Sequence, residues 1–518
     1  MIMKKLLVAM ALLTGSLASM ATDYLGTLAV VVDGNMAQPT QNRIVLDKQE
    51  NGNYELSLKN FILIEGDVSM PIGNIVLADI EAKERQGKMV LDTLLAIKIG
   101  AGDIEGIDMW MGPMITAQEP VPVALKAVVS GNILTADITV PLVGQNVNVV
   151  FDSREFQLPN SGFEDFHTAK AGSATSQEPN NWHSFMSCTG SLSGMVSSVP
   201  HTFVSDDVRP GSDGSKSVLV KSATIFGIVA NGTLTTGQLN AGGWTAEDTK
   251  NNAFIDLNNE ARDENGAPFY TILNTQPDSI SVWVKFKQGE AVPEDPYATM
   301  SAVIIDGSYY QEPADKDYSD IIVGQANCKT IESTGEWQKI TVPFEYADKT
   351  KSPKGILVTF STNAKAGAGT GNDELFLDDV ELVYSAYLND LAVNGVTLPG
   401  FASDKYDYEY FVDGQMPTVD KLIGMTSCKV AGNEARSFVS ARGDNAIVIL
   451  VLSADLRSSR TYTIKFSKGA AGVESIANND NAGKAVYTLG GQKVNTIKKG
   501  GVYITRYANG KTVKAVGK

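Results

Sequence analysis

The chain has few cysteines, few histidines and no long hydrophobic run beyond its first residues, and each scarcity excludes a class of protein. Three cysteines in 518 residues, Cys188, Cys328 and Cys428, are too few and too far apart for a disulfide framework or a zinc site. The sequence is compatible with one Cys188–Cys328 disulfide and equally with buried free thiols. No stretch after residue 21 reaches the ~20 apolar residues that cross a bilayer, which excludes a transmembrane helix.

Histidines are equally scarce, and the sequence contains no recognisable catalytic motif. His167, His183 and His201 are separated by 16 and 18 residues, spacings that match no helical or hairpin metal motif. We therefore expect surface or core histidines rather than a shared metal site. The G-x-S-x-G elbow of serine hydrolases is also missing, so we assign no catalytic residue.

Negative charge dominates the body of the chain, whereas the C-terminal tail is basic. The net charge is −16, yet Lys484 to Lys518 holds eight Lys or Arg and no acid, which leaves 43 − 8 = 35 basic against 59 acidic residues before it. An acidic body repels phosphate backbones, so nucleic acid is disfavoured as a partner of residues 22–483. Calcium ions or neutral glycans suit such a surface better.

Residues 1–21 have the pattern of a secretory signal peptide. Lys4 and Lys5 precede an apolar run from Leu6 to Leu13, and the small residues Ser19 and Ala21 form a cleavage site before Thr22. The run is too short for a membrane span, and no cysteine lies beside the cleavage site to carry a lipid. The sequence therefore predicts a secreted or cell-surface protein.

Local pattern predicts an all-β chain of three or four domains. Tyr54, Leu56 and Leu58 alternate with polar residues, as strands with one buried face do. Between such runs lie hairpin dipeptides: Asp33-Gly34, Asn51-Gly52, Asn231-Gly232, Asp306-Gly307, Asn394-Gly395, Asp413-Gly414 and Asn509-Gly510. Helical periodicity is scarce, and its best candidate, Asn252 to Asp263, could equally be loop.

The first segment, residues 22–153, is predicted to be a meander of roughly eight strands that closes into a small barrel. Its characteristic stretches are Tyr24-Leu25-Gly26-Thr27-Leu28, Tyr54 to Phe61, Pro71-Ile72-Gly73-Asn74-Ile75 and Val147-Asn148-Val149-Val150-Phe151. In these the segment resembles the calycin-like domain of exported proteins of gut Bacteroidetes. The resemblance implies a lipocalin-shaped β-barrel.

The second segment, residues 155–385, begins with Asn160 to Phe166 and ends with Leu377 to Tyr384, which look like the first and last strands of a carbohydrate-binding jelly roll. Between them lie Asn181-Trp182, Gly214 to Ser222, Gly266-Ala267-Pro268-Phe269 and Phe344-Glu345-Tyr346. This set resembles the PCMD family of carbohydrate metabolism domains. The resemblance implies a two-sheet jelly roll whose opening and closing strands lie side by side.

The third segment, residues 386–467, opens with Tyr387 to Gly395 and closes with Tyr462 to Phe466. It resembles a cadherin-like, immunoglobulin-like β-sandwich. After the linker Lys468 to Gly472 comes a tail, residues 473–518, with Val486 to Val494 and Gly500 to Ile504. This small β tail is similar to the C-terminal sorting domains of type IX secretion, which implies recognition by export machinery and attachment to the cell surface.

Asp378 is predicted to lie among apolar residues, because period-2 alternation places it on the face of Phe376, Val380, Leu382 and Tyr384. A buried charge needs donors, a proton or a cation. In the jelly rolls that this segment resembles, carboxylates of the first and last strands meet at calcium. That resemblance makes Glu164, Asp378 and Asp379 candidate ligands of a structural calcium. Carboxylates that are simply hydrogen-bonded or solvated are the alternative.

Glycan recognition uses flat aromatic faces, and the second segment holds four tryptophans. In Ser279 to Lys287 the apolar face is Ile280, Val282, Val284 and Phe286, so Trp283 points to the other side, where a binding face could lie. Trp244 follows Gly242 and Gly243 in a loop and is expected to project into solvent. We interpret Trp182 and Trp337 as core, and packing is the alternative for the other two.

Carboxylate pairs for glycoside hydrolysis cannot be identified from sequence, since 59 acids are present and their separations are not visible. The stretch Glu312 to Asp320 is expected to be a solvated acidic turn or a weak cation site. The leading hypothesis is an exported surface protein whose jelly roll binds a glycan or polysaccharide. A carbohydrate-active enzyme and an adhesion protein that binds protein partners are the alternatives.

Overall fold

The computed structural model of the protein describes residues 21–142, 145–291, 296–412, 414–468, 473–476, 484–507 and 512–517. The predicted signal peptide, apart from Ala21, and linker residues 469–472 lie outside the described residues. Within them the prediction of an all-β chain is confirmed, because nine β-sheets carry the structure. The helices are α1 (Met111–Ile115), α2 (Ser193–Val196) and α3 (Val419–Met425), with a 3₁₀ turn at Phe185–Ser187. None of the described helices is long and apolar enough to cross a membrane.

The chain divides into two compact units. One comprises Met1–Ser153, Ala386–Ala431 and Ala435–Lys518, and the other comprises Arg154–Ser385 and Gly432–Glu434. The three cysteines are free thiols, so the Cys188–Cys328 disulfide is not formed.

The first segment is one antiparallel sheet in the order β5-β4-β3-β1-β10-β9-β8-β7-β6, with β2 beside β1. Its strands are β1 (Thr22–Val32), β2 (Asn35–Met36), β3 (Thr40–Lys48), β4 (Tyr54–Glu65), β5 (Val68–Ile80), β6 (Ala82–Arg85), β7 (Lys88–Ile97), β8 (Val121–Ser130), β9 (Ile133–Leu142) and β10 (Gln145–Asp152). Alternate apolar residues pack in one core, among them Leu28, Ile44, Leu56, Leu125 and Phe151. The interior is therefore occupied by side chains.

The two ends of this curved sheet approach each other at Gly73. Asn74 pairs with Gly100 in an antiparallel bridge that links β5 to the chain after β7. Gly73 has φ +118°, and a Cβ there would lie 2.1 Å from the Gly100 carbonyl oxygen. A residue with a side chain would be strained in conformation and would clash with that backbone, so the approach requires glycine.

The second segment contains two facing five-stranded sheets. The β21 sheet has the order β13-β14-β27-β21-β25, and the β22 sheet has the order β17-β26-β22-β24 with β20 beside β26. Smaller sheets are β11-β12, β15-β16 and β18-β19-β23. The strands are β11 (Phe166–Ala171), β12 (Ala174–Pro179), β13 (Thr202–Ser205), β14 (Ser217–Lys221), β15 (Ala223–Ile225), β16 (Ile228–Ala230), β17 (Thr233–Thr235), β18 (Gln238–Ala241), β19 (Asn251–Ile255), β20 (Thr271–Ile272), β21 (Ser279–Lys287), β22 (Tyr297–Ile305), β23 (Tyr310–Glu312), β24 (Ile322–Glu332), β25 (Gln338–Pro343), β26 (Gly355–Ser361) and β27 (Glu374–Val383).

Sequence patterns explain most of these elements. Trp182, interpreted as core, is fully buried with its ring 5.2 Å from Phe163 and 6.1 Å from Phe360. The helical alternative for Asn252 to Asp263 is wrong, because the stretch completes β19 and continues in turns. Without a continuous apolar stripe, a helix there would have had no buried face.

The opening of the second segment lies beside its closing strand, although not as a strand. Asn160 to Phe163 is a turn, closed by Phe163 N donating to Asn160 O at 3.1 Å. Val380 N donates to Ser161 O at 2.9 Å. The side-chain amide of Gln157 donates to Leu382 O at 2.7 Å and accepts from Leu382 N at 2.8 Å. Side-chain and turn contacts therefore join the two ends.

A β-bulge in β27 changes the face assignment that alternation predicts. Asp378 pairs with Trp283 and Glu381 with Ser281, so the register shifts between them, and Asp379 has φ 43°. Asp378 therefore shares the outer face with Phe376 but not with Val380, Leu382 and Tyr384. Those three side chains point to the opposite, inner face of the sheet, because the extra residue reverses the alternation.

The third segment is a two-sheet sandwich, β29-β28-β31 and β30-β34-β33-β32, with β30 and β34 parallel. Its strands are β28 (Leu388–Val393), β29 (Val396–Thr397), β30 (Asp407–Val412), β31 (Thr426–Val430), β32 (Arg436–Arg442), β33 (Ala446–Leu452) and β34 (Ser459–Lys468). The tail forms the sheet β35-β39-β38-β36-β37. Its strands are β35 (Val473–Ile476), β36 (Lys484–Thr488), β37 (Lys493–Val494), β38 (Val502–Tyr507) and β39 (Thr512–Gly517).

Candidate functional site

A cleft of about 730 Å³ lies on the outer face of the β22 sheet. The small β18-β19-β23 sheet covers one end of this face through an apolar cluster that includes Leu239, Ile255, Val303 and Leu357. Beyond that cluster the face is open. The walls of the cleft come from β18, β19 and β23, the β15–β16 hairpin, α2 and the loop after β18.

Polar side chains form the floor of the cleft. In β22, Ala298, Met300 and Ala302 are buried on the inner face, so Thr299 and Ser301 point outward. Strand register extends them into two rows across the sheet: Thr233, Ser361 and Thr299, and then Thr359, Ser301 and Asn327. The floor thus presents hydroxyl and amide groups that both donate and accept hydrogen bonds.

Two exposed aromatic residues stand at the rim. Phe226, at the tip of the β15–β16 hairpin, is 86 % exposed, and Trp244, in the loop after β18, is 71 % exposed. The prediction that Trp244 projects into solvent is confirmed. Two exposed rings beside one cleft offer flat apolar faces on which a ligand can pack.

Asn251 holds the loop that carries Trp244. Its side-chain oxygen accepts from Gly242 N at 3.0 Å and Gly243 N at 2.9 Å. Its side-chain nitrogen donates to Gly243 O at 3.0 Å and Thr245 O at 2.8 Å. The four hydrogen bonds fix the loop on both sides of the tryptophan, so the ring is presented on an ordered backbone.

Glu312 is the one acidic residue among the described residues that line the cleft, and Lys329 is the one basic residue. The Glu312 carboxylate accepts from Ser301 Oγ at 2.7 Å and from Tyr310 Oη at 2.8 Å. Burial raises the pKa of Glu312, and these two donors only partly oppose the rise. The interpretation of Glu312 as part of a solvated acidic turn is therefore wrong, because β23 carries it into the wall of the cleft.

Trp283, the other predicted ligand-binding tryptophan, lies on the outer face of the β21 sheet and does not line the cleft. The Arg209 guanidinium stands over its ring, 5.7 Å from the centroid. On the same face, Lys285 pairs with Asp207. The segment from Asp207 to Arg209 thus lies across this face, and a role of Trp283 in ligand binding stays a prediction.

The candidate calcium ligands are held by protein donors. Arg209 N donates to Asp378 Oδ2 at 3.0 Å, and the Arg209 guanidinium binds Asp379 Oδ2 at 2.5 Å. Glu164 instead accepts from Ser215 N and Lys216 N, both at 2.9 Å. The structure therefore brings Asp378 and Asp379 together at Arg209 and gives Glu164 different partners.

These surroundings move the pKa values of two of the candidates in opposite directions. Desolvation, together with the neighbouring Asp379 charge, raises the pKa of Asp378 to about 6. Burial works to raise the pKa of Glu164 too, but the backbone N–H groups of Lys216 and Ser215 lower it overall. The calcium site stays a prediction.

Sequence reasoning missed the cleft itself and a grouping of two histidines. The alternation of Thr299 and Ser301 with apolar residues was a visible signal for a polar outer face. No sequence signal identifies which part of that face stays uncovered. His167 and His183, expected to be unrelated, lie near the same buried carboxylate, that of Asp263.

Comparison with known proteins identifies a relationship for the first segment. Residues 20–154 match the family model of the calycin-like beta-barrel domain. No curated protein matches the chain.

Several solved structures show a distant likeness. A "putative glycoside hydrolase" from Bacteroides vulgatus is 15 % identical, with 43 % of this chain and 96 % of that chain covered and a TM-score of 0.27. A second protein of that description, from Bacteroides thetaiotaomicron, is 15 % identical, with coverages of 51 % and 87 % and a TM-score of 0.30. A "putative outer membrane protein" from Bacteroides fragilis is 12 % identical, with coverages of 66 % and 97 % and a TM-score of 0.18. At these TM-scores none of the three supports an inference about this chain. The established similarity is that of residues 20–154 to the calycin-like β-barrel domain, the fold that the first segment adopts.

Proposed function

We propose that this protein is exported and binds a neutral carbohydrate in the cleft of its second segment. The observation that carries the proposal is the pairing of two exposed rim aromatics, Phe226 and Trp244, with a floor of hydroxyl and amide side chains. Sugars present apolar C–H faces and polar hydroxyl edges. An aromatic ring on the rim can pack against the C–H face of a sugar, and the polar floor can hydrogen-bond to its hydroxyl groups.

Size and charge favour a carbohydrate over other polar ligands. A cleft of about 730 Å³ lies within the usual range for small-ligand sites and would hold a short stretch of a glycan chain. One carboxyl group and one ammonium group line it, so the cleft has no cluster of like charges that would select a phosphate or a polycation. Uncharged hydroxyl groups suit this balance.

The direct test is binding to a panel of soluble host and dietary polysaccharides in affinity gels, followed by titration calorimetry with those that retard the protein. We expect Trp244→Ala to weaken binding at least tenfold, because it removes the stacking surface. Its melting temperature should stay nearly unchanged, since the ring is 71 % exposed.

Phe411→Ala is the matched control, because Phe411 is an exposed ring, 57 % accessible, on β30 of the third segment. It should bind as the wild type does. Retention of full affinity by Trp244→Ala would locate the binding site elsewhere. An absence of any glycan binding would favour the alternative of an adhesion protein that binds protein partners.

A catalytic role in the same cleft is the second candidate, favoured by the raised pKa of Glu312. A carboxyl group whose pKa is raised by burial is a candidate general acid. Glycoside hydrolysis, however, uses a second carboxylate about 5–10 Å away, and Glu312 is the one acid among the described lining residues. We therefore expect no reducing ends from polysaccharides incubated with the protein. If the wild type releases reducing ends and the Glu312→Gln variant does not, the protein is a carbohydrate-active enzyme instead.

Export and surface location rest on the two ends of the chain. The N-terminal pattern of Lys4, Lys5 and the run Leu6 to Leu13 supports secretion. The basic tail, residues 473–518, is proposed to be recognised by export machinery. A reporter protein fused to that tail should reach the cell surface in a type IX secreting host and remain inside without it.

A further inference from the structure

Four buried side-chain atoms without hydrogen-bond partners meet in the second segment, away from the residues that line the cleft. The ion-pair separations are 3.4 Å from His183 to Asp263, 3.8 Å from His167 to Asp263 and 3.9 Å from His167 to Glu178. We call these atoms the four-atom cluster: His167 Nε2, Glu178 Oε2, His183 Nε2 and Asp263 Oδ2. His167 is 8 % exposed at its side chain and the other three are 0 %. Unpartnered polar atoms are costly to bury, so four in one place call for an unseen partner.

Local structure aims the two carboxylates into the cluster. His167 and Glu178 face each other on β11 and β12. Glu178 Oε1 accepts from Ser184 N at 2.7 Å and Ser184 Oγ at 2.5 Å, which leaves Oε2 free. The other oxygen of Asp263 accepts from Asn265 N at 2.9 Å and Ala267 N at 2.7 Å, which leaves Oδ2 free.

The histidines are oriented in the same manner. His183 Nδ1 lies 2.7 Å from Gly237 O, a carbonyl that can only accept, so Nδ1 carries the proton. His167 Nδ1 lies 3.2 Å from the side-chain oxygen of Asn180. In the neutral tautomer each Nε2 then presents a lone pair to the cluster. Metal-binding histidines are held in this way, with the outer ring nitrogen donating to a carbonyl or amide oxygen.

Lone pairs alone would repel one another, so the cluster needs protons or a cation at its centre. Two ionised carboxylates bring two negative charges into a site closed to water, and a divalent cation neutralises both. Two imidazolium rings would also balance the charge. Their Nε2–H groups would then have to donate across 3.4–3.9 Å, beyond the usual hydrogen-bond distance.

We propose that the four-atom cluster binds one zinc ion, which links the β11–β12 hairpin to the turn at Asp263. Two imidazole nitrogens and two carboxylate oxygens suit zinc, which binds four such ligands tetrahedrally, whereas calcium and magnesium prefer oxygen alone. As the side chains stand, no group of three or more His, Cys, Asp or Glu residues in the described parts of the chain is arranged so that it could hold a metal ion, so zinc binding requires the four atoms to move closer together. Bonds of about 2.0–2.2 Å place tetrahedral ligands about 3.3–3.5 Å apart, so zinc would draw the cluster inward by a few tenths of an ångström.

The test is metal analysis of the full mature chain, purified without a histidine tag and dialysed after incubation with zinc sulfate. We expect one zinc per chain, a melting temperature that falls when a chelator removes the metal, and recovery when zinc is restored. Glu178→Gln and Asp263→Asn keep the shape of each side chain but remove its charge. Each should weaken zinc binding more than tenfold.

His201→Gln is the control, because His201 is a buried histidine whose Nδ1 donates to Lys221 O and which lies outside the cluster. It should retain one zinc. If a cluster variant fails to fold, diffraction at the zinc absorption edge from the wild type still decides, since it must place the ion among the four atoms. The proposal is overturned if the wild type contains no zinc and its melting temperature does not change when the chelator is added. It is also overturned if every variant contains as much zinc as the wild type. Either result would favour a buried water molecule at the cluster.

Discussion

Asp378 carries its carboxyl group in a buried position on the outer face of the β21 sheet. One oxygen accepts from Arg209 N, and the other has no protein donor. Desolvation raises its pKa from 3.8 to about 6. Between these pH values the folded state keeps a proton that the unfolded state has lost. The contribution of Asp378 to the free energy of unfolding therefore falls as the pH rises from about 4 to 6, and above this range the folded protein bears the full cost of the buried charge.

We expect Asp378→Asn to remove this dependence. At pH 7.5 the variant should melt a few degrees higher than the wild type, because a neutral amide replaces a buried charge. At pH 4 the two proteins should melt alike. Thermal unfolding at pH 4, 5, 6 and 7.5 measures the difference. Asp320→Asn, which removes an exposed carboxylate, is the control and should follow the wild type; a larger loss of stability in Asp378→Asn at pH 7.5 would contradict the assignment.

Residue identity predicted some of these positions and not others. Trp283 was placed on the outer face correctly, because its neighbours Ile280, Val282 and Val284 are all apolar and all buried. That Arg209 would stand over the ring could not be foreseen, since the two residues are 74 positions apart. Long-range partners of a polar side chain depend on loop paths, which local pattern does not encode.

At the scale of one element, the bulge in β27 decides which side chains enter the core. Because Asp379 is the extra residue, Leu382 is inside and 1 % exposed, whereas the Glu381 side chain is outside and 58 % exposed. Strict alternation, without the bulge, would place Leu382 on the same face of the sheet as Asp378. Bulges are short-range backbone irregularities, and a run in which both faces are rich in apolar residues gives no sign of where one falls.

Paired alanine substitutions test the bulge. Leu382→Ala should lower the free energy of unfolding by about 2–5 kcal/mol, because it leaves a cavity between the sheets. Glu381→Ala should change it by no more than about 0.5 kcal/mol, since the residue is exposed. Denaturant unfolding of both variants provides the measurement. The opposite ranking would mean that β27 continues without a register shift.

On the scale of the molecule, the second segment forms one of the two compact units together with Gly432–Glu434, and its two ends are joined by contacts within the segment. The Gln157 side chain exchanges two hydrogen bonds with Leu382, and Ser161 accepts from Val380 N. A segment that closes on itself in this way needs little from the rest of the chain in order to fold.

We expect residues 154–385, produced alone, to fold and to unfold in one cooperative transition. The isolated segment should bind the same polysaccharides as the full chain, because the cleft lies wholly within it. Calorimetry and affinity gels check the two expectations. A broad transition without a heat-absorption peak would show that the segment needs residues outside this range.

The sequence by itself determined the strand content and the side of each regular strand that is buried. These properties follow from the alternation of neighbouring residues, because side chains two apart on a strand share a face. The tertiary structure decided which part of the β22 sheet stays open as a cleft, where β27 shifts its register, and that His167, Glu178, His183 and Asp263 meet. Such meetings depend on how sheets and loops cover one another, and contacts between residues tens to more than a hundred positions apart leave no periodic trace in the sequence.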